Sequence, residues 1–106
     1  MEVRIKENSW IAKLAAVKMN GEKLAIVFGS TIHLYNTRRD EFLQDKDWVC
    51  HELKHVEQYR RIGFARFLVT YLIEWVKNGY YDNKYEVEAR ESEKDEKLMK
   101  EVKFIL

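Results

Sequence analysis

Residues 49–59 read VCHELKHVEQY. His51 and His55 stand four apart, and Glu52 directly follows the first. Residues of a helix advance by about 100°, so positions four apart are neighbours on one face. Val49, Leu53 and Val56 then gather into an apolar stripe, while Lys54, Glu57 and Arg61 gather on a face suited to water. The two histidines lie on neither. They share a flank with Trp48, Glu52, Gln58 and Tyr59, as side chains lining a cleft would.

Working outward, Asp45 or Asp47 opens this helix, predicted over 45–62, and Gly63 closes it. A second apolar helix follows over 64–77 and ends at Asn78-Gly79. Asn83 caps a last helix predicted over 84–101. On the N-terminal side, VRI at 3–5 reads as a short strand. Ser9 caps a helix that ends at Asn20-Gly21. LAIVF at 24–28 and TIHLY at 31–35 flank Gly29-Ser30, the signature of a β-hairpin. NTRRDEFLQ reads as a polar connection. Together these elements predict one α+β domain over 1–106, with a short antiparallel sheet built on the 24–35 hairpin, about four helices and a C-terminal tail near 102–106.

A chain of 106 residues suits one domain with a modest core. Its formal net charge of +1 gives no electrostatic case for binding nucleic acid or an anionic membrane. One cysteine excludes an internal disulfide and a cysteine-rich zinc site, and a reducing cytoplasm is the expected compartment. The most apolar run, 64–76, is short for a bilayer span and carries Arg66 and Glu74, so no membrane insertion is expected.

Two imidazoles at this spacing can share one zinc ion. Glu52, pointing beside such an ion, can take a proton from a water held there and pass it on. The ion itself would acidify the water and polarise a peptide carbonyl. Zinc needs a third protein ligand. His33 and the acids of residues 82–96 are the candidates. On the last helix Glu86 is flanked by positions suited to packing, with small Ala89 able to bring that helix close to the histidines. Glu88 lies on the opposite side. Glu86 is the preferred third ligand and Glu88 the alternative; Glu88, Glu91 and the acids beyond Glu93 otherwise read as a solvated face.

HELKH at 51–55, followed by EVEAR at 86–90, resembles the gluzincin metallopeptidases, in which two histidines and a glutamate hold zinc. YEVEAR is similar to the second motif of the membrane-bound members, a glutamate before x-x-A-D, and that likeness points to Glu86. Arg90 stands where those enzymes carry an aspartate. The whole chain resembles the minigluzincins, soluble peptidases of about this size. The resemblance implies zinc as cofactor, a peptide or protein substrate, and a latent zymogen silenced by its C-terminal segment. The tail residues Phe104, Ile105 and Leu106 would then lie in the cleft, or else pack into the core. A catalytically silent metal-binding or oligomerising module with the same site is the alternative. Whether the chain is a monomer or a dimer stays open.

Other residues have plainer expectations. If Ile32 and Leu34 face the core, His33 faces solvent or the cleft, where it would help bind substrate. The 31–35 strand could offer an edge to an extended peptide, as gluzincins do. Cys50 reads as a partly buried structural thiol, and Trp48 and Tyr59 as packing residues. One of Tyr80, Tyr81 and Tyr85 would stabilise an oxyanion. Arg90 would pair with Glu93 or another acid.

Overall fold

The computed structural model describes residues 1–19 and 22–105. Its elements are β1 (Glu2–Lys6), α1 (Trp10–Met19), β2 (Leu24–Phe28), β3 (Thr31–Tyr35), α2 (Arg39–Gln44), α3 (Lys46–Ile62), α4 (Phe64–Asn78), α5 (Lys84–Glu91), α6 (Lys97–Lys100) and β4 (Lys103–Ile105). The α+β class holds, and β2 and β3 form the expected antiparallel hairpin around Gly29, whose φ of 67° suits glycine. The helix end expected at Asn20-Gly21 lies outside the described residues.

The sheet is mixed rather than antiparallel. Its strand order is β2-β3-β1-β4, and β1 runs parallel to both β3 and β4. Hairpin turns are written locally in sequence, whereas these parallel pairings join segments far apart in the chain. β3 is therefore an interior strand. The edge expected from 31–35 is supplied by β2 instead.

Val3, Ile5, Val27, Ile32 and Leu34 share a core with Val49, Leu53 and Val56, the apolar stripe of α3. α1 packs on β2 and β3, with Ala12 and Ala16 buried. Covering helices on both faces explain why Ile32, His33 and Leu34 are all buried in succession.

The described residues hold six helices, where about four were expected. α2 arises within the segment read as a polar connection, with Asp40 and Glu41 in its first turn and Phe42 buried. The helix predicted over 84–101 stops at Glu91. There Ser92 turns its hydroxyl back to the Glu88 carbonyl, and Asp95 accepts from the backbone N–H of Lys97. Such side-chain bonds compete with a continuous helix.

The tail forms β4. Phe104 pairs with Val3 and Ile105 with Arg4, at the sheet edge remote from β2. Phe104 also packs against the core. The expectation that the tail fills the cleft is thus corrected for Phe104 and Ile105, because β1 offers an unpaired edge and the core an apolar seat. Leu106 lies outside the described residues. No described helix is long and apolar enough to cross a membrane.

Candidate metal centre

α3 carries His51 and His55, and its N-terminus is fixed by Asp45, which accepts from the Trp48 backbone N–H at 3.2 Å. Gly63, with φ 103°, ends it and lets the chain turn directly into α4. Asn83 sets the start of α5: its side chain accepts from the Tyr85 N–H at 2.9 Å and donates to the Tyr71 carbonyl at 3.1 Å. One residue therefore ties α4 to the first turn of α5, where Glu86 sits. Ala89 is fully buried and lets α5 lie close against α3.

Ligand atoms of His51, His55 and Glu86 all lie within 4.8 Å of one another, so this trio can hold a metal ion. Oε1 of Glu86 is 3.0 Å from Nε2 of His51 and 3.1 Å from Nε2 of His55. Each imidazole is also gripped from behind. Nδ1–H of His51 donates to Glu93 Oε2 at 2.9 Å, and Nδ1–H of His55 donates to Gln58 Oε1 at 2.8 Å. Gln58 has its amide orientation fixed, because its NH2 donates to the Tyr85 carbonyl and to Glu88 Oε1. With both Nδ1 atoms committed as donors, both Nε2 atoms point inward, where a neutral ring offers a lone pair. The donor set, two inward imidazole nitrogens and a carboxylate oxygen, fits a divalent transition-metal ion.

Without an ion, the same contacts favour protons on the two rings. Burial alone would lower the His51 pKa. The hydrogen bond to Glu86, the Glu52 charge and the hydrogen bond to Glu93 outweigh it and lift the ring to about 9. His55 is raised against its own burial by the same Glu86 hydrogen bond. Burial pushes Glu86 upward, but hydrogen bonds from His51, His55 and Tyr71 hold it well below the usual carboxylate range. Burial raises Glu52 to about 7 even though His55 and His51 pull it down.

Glu52 lines the cleft beside the trio, as its position after His51 predicts. Two cavities meet there, and Glu52 and Tyr80 line both. Of the three candidate tyrosines, Tyr81 stacks under the Arg90 guanidinium at 3.9 Å and Tyr85 packs on Phe67. Tyr80 is the one left facing the cleft.

Several expectations are corrected here. His33 reaches neither cavity; it is buried on the α1 side and its Nδ1 lies 2.8 Å from the Ser9 hydroxyl. Ser9 thus spends its hydroxyl on His33, while its carbonyl starts α1 by accepting from Lys13. Arg90 does not pair with Glu93. It donates to the Tyr81 carbonyl and braces the loop before α5, leaving Glu93 free to hold His51. Glu88 is no ligand, yet it is more than a solvated acid, since it anchors Gln58 and accepts from Arg61 at 3.0 Å. Cys50 is fully buried, with Sγ 3.5 Å from the Asp95 carbonyl, and burial raises its thiol pKa. Trp48 packs on Phe42, and Tyr59 sits between Phe64 and Phe67 with its hydroxyl on the Val27 carbonyl.

Tyr71 was not foreseen. Its hydroxyl donates to Glu86 Oε2 at 2.5 Å, so one oxygen of Glu86 is held while the other faces the histidines. In sequence Tyr71 lies inside the apolar run FLVTYLIEWV and looks like one more packing residue. The chain matches no protein-family model, no curated protein and no solved structure.

Proposed function

We propose that this protein is a zinc-dependent peptidase, with His51, His55 and Glu86 as the metal ligands and Glu52 as the acid–base residue. The observation that carries the reading is the convergence of two oriented imidazoles and a fixed carboxylate on one point, with a second, buried carboxylate facing the same cleft. When bound, zinc would supply Lewis acidity for a water and for the scissile carbonyl.

The chain's own groups do the rest. Glu93 and Gln58 hold the two rings, and Tyr71 holds Glu86. Glu52 takes one proton from the attacking water as its oxygen bonds to the carbonyl carbon. It then returns that proton to the amine nitrogen as the C–N bond breaks, which leaves a carboxylic acid and an amine. Tyr80, which lines both cavities, would donate to the oxygen on which charge develops. β2, paired only with β3 among the described strands, offers an edge to an extended peptide. The tail is no part of this reading, since Phe104 and Ile105 are paired in the sheet.

The test is zinc per chain by elemental analysis, together with cleavage of a denatured protein substrate, for the wild type and Glu52→Gln. About one zinc in both, with cleavage in the wild type only, is expected. Zinc-loaded wild type that cleaves no peptide bond, or Glu52→Gln that cleaves as well as wild type, refutes it.

A further inference from the structure

The two histidines are held from behind by groups of different kinds. An ionised carboxylate only accepts hydrogen bonds, so Glu93 fixes the His51 ring by itself. Gln58 carries an oxygen at one end of its amide and an NH2 at the other, and either end fits the same space. It serves His55 only with the oxygen turned to Nδ1. Gln58 is fully buried, so its protein neighbours set that choice.

Two acceptors set it. The Tyr85 carbonyl takes one amide hydrogen at 3.1 Å, and Glu88 Oε1 takes the other at 2.7 Å. The Glu88 bond is the shorter and involves a full charge, which makes it the stronger. A negative charge at the NH2 end also polarises the amide, so its oxygen accepts more strongly from the ring. Glu88 is itself held. The same Oε1 accepts from Arg61 at 3.0 Å, and Arg61 also pairs with Glu57 at 3.5 Å, one turn earlier on α3. The Arg61 and Glu88 side chains are 49% and 40% exposed. A line of contacts thus runs from solvent through Arg61, Glu88 and Gln58 to Nδ1 of His55.

We propose that Glu88 is a positioning residue of the metal centre. Pinned by Arg61, it fixes the Gln58 amide and so presents the Nε2 lone pair of His55 to an ion, and a surface ion pair thereby governs metal affinity. The inference deepens the proposed function at its metal site and rests on zinc binding there, not on cleavage.

The experiment has two readouts on the full chain: zinc affinity by competition with a chromophoric chelator, and the NMR signal of the His55 Nδ1 proton with and without zinc. Glu88→Met keeps the length of the side chain and removes the acceptor. It should weaken zinc binding by about three- to tenfold, less than loss of a direct brace, because it acts through Gln58. The Nδ1 proton should move upfield and exchange faster with water, as a weakened hydrogen bond requires. Glu88→Gln keeps an acceptor oxygen and should stay close to wild type in both readouts. Arg61→Met should cause a smaller loss, and none further when Glu88→Met is already present. Glu91→Met, which removes an equal charge from an exposed position on the same helix, should change neither readout. Unchanged zinc affinity or an unmoved Nδ1 proton in Glu88→Met, equal losses in Glu88→Met and Glu91→Met, Glu88→Gln as damaging as Glu88→Met, or additive effects of Arg61→Met and Glu88→Met each overturn the inference. Wild type that holds zinc but cleaves nothing refutes the peptidase reading alone. Wild type that holds no zinc refutes the proposed function, and the Nδ1 proton of the metal-free chain then decides whether Glu88 positions His55.

Discussion

Glu93 should tune metal affinity without touching the metal. Its Oε2 accepts from Nδ1–H of His51 at 2.9 Å, which keeps that ring in the tautomer whose Nε2 faces Glu86. Glu93→Ala removes the acceptor. Such outer partners are usually worth about 10- to 100-fold in metal affinity. Glu93 is one-third exposed, so water can replace it in part, and a loss of about tenfold, or about 1.4 kcal/mol, is expected. Gln58 does the same for His55 but is fully buried, so Gln58→Ala should cost more, toward about 100-fold. Glu93→Gln keeps an amide oxygen to accept from the ring and should stay close to wild type. The assay is competition for zinc against a chromophoric chelator at neutral pH. Unchanged affinity in Glu93→Ala would refute the bracing argument. Glu93→Gln as damaging as Glu93→Ala would show that charge, not orientation, is what Glu93 supplies.

Three further outcomes are expected. Glu86→Ala should lower zinc per chain well below that of the wild type after dialysis against a mild chelator; retention of a full equivalent would remove Glu86 from the ligand set. Tyr80→Phe should reduce kcat by about 100-fold with little change in KM, the size of a lost oxyanion donor, and an unchanged kcat would exclude that role. In the metal-free chain His51, lifted from 6.5 to about 9, and Glu52, lifted from 4.5 to about 7, bind protons more tightly folded than unfolded, so the melting temperature should fall as pH rises from about 5 to about 9. Zinc requires deprotonated ligands and should reverse that slope; a metal-free profile that rises over this range would contradict the proton-filled site.

The parts of the fold legible in sequence are those fixed by local chemistry. Asp45, Asn83, Gly63 and the Gly29-Ser30 turn act on neighbours within a few residues, and each bounds the element it was expected to bound. His51, His55 and Glu52 share one helix, so their common flank follows from helical geometry alone. Glu86 was reachable because few acids on the last helix have packing residues beside them. The parallel pairings of β1 were not legible, because nothing near residues 2–6 specifies partners at 31–33 and 103–105. His33 was misplaced for the same reason. Its exposure depends on α1 covering the outer face of the sheet, a fact of tertiary packing that strand alternation does not contain.

The residues around the trio explain why it was only half visible. Tyr71 comes from α4, Gln58 from α3 and Glu93 from the turn after α5, and each looks ordinary in its own segment. Their shared property is that each spends its one decisive hydrogen bond on a ligand atom that faces away from the centre: Oε2 of Glu86, Nδ1 of His55 and Nδ1 of His51. An outward atom so committed leaves the inward atom with a single orientation. Without metal, the two inward nitrogens share one carboxylate oxygen, which favours protons on the imidazoles. The shared Glu86 carboxylate attracts a proton on either ring, which offsets the repulsion between the two rings when both are charged. The metal-free chain can therefore fold with its site already assembled, and an ion entering it displaces protons rather than rearranging side chains.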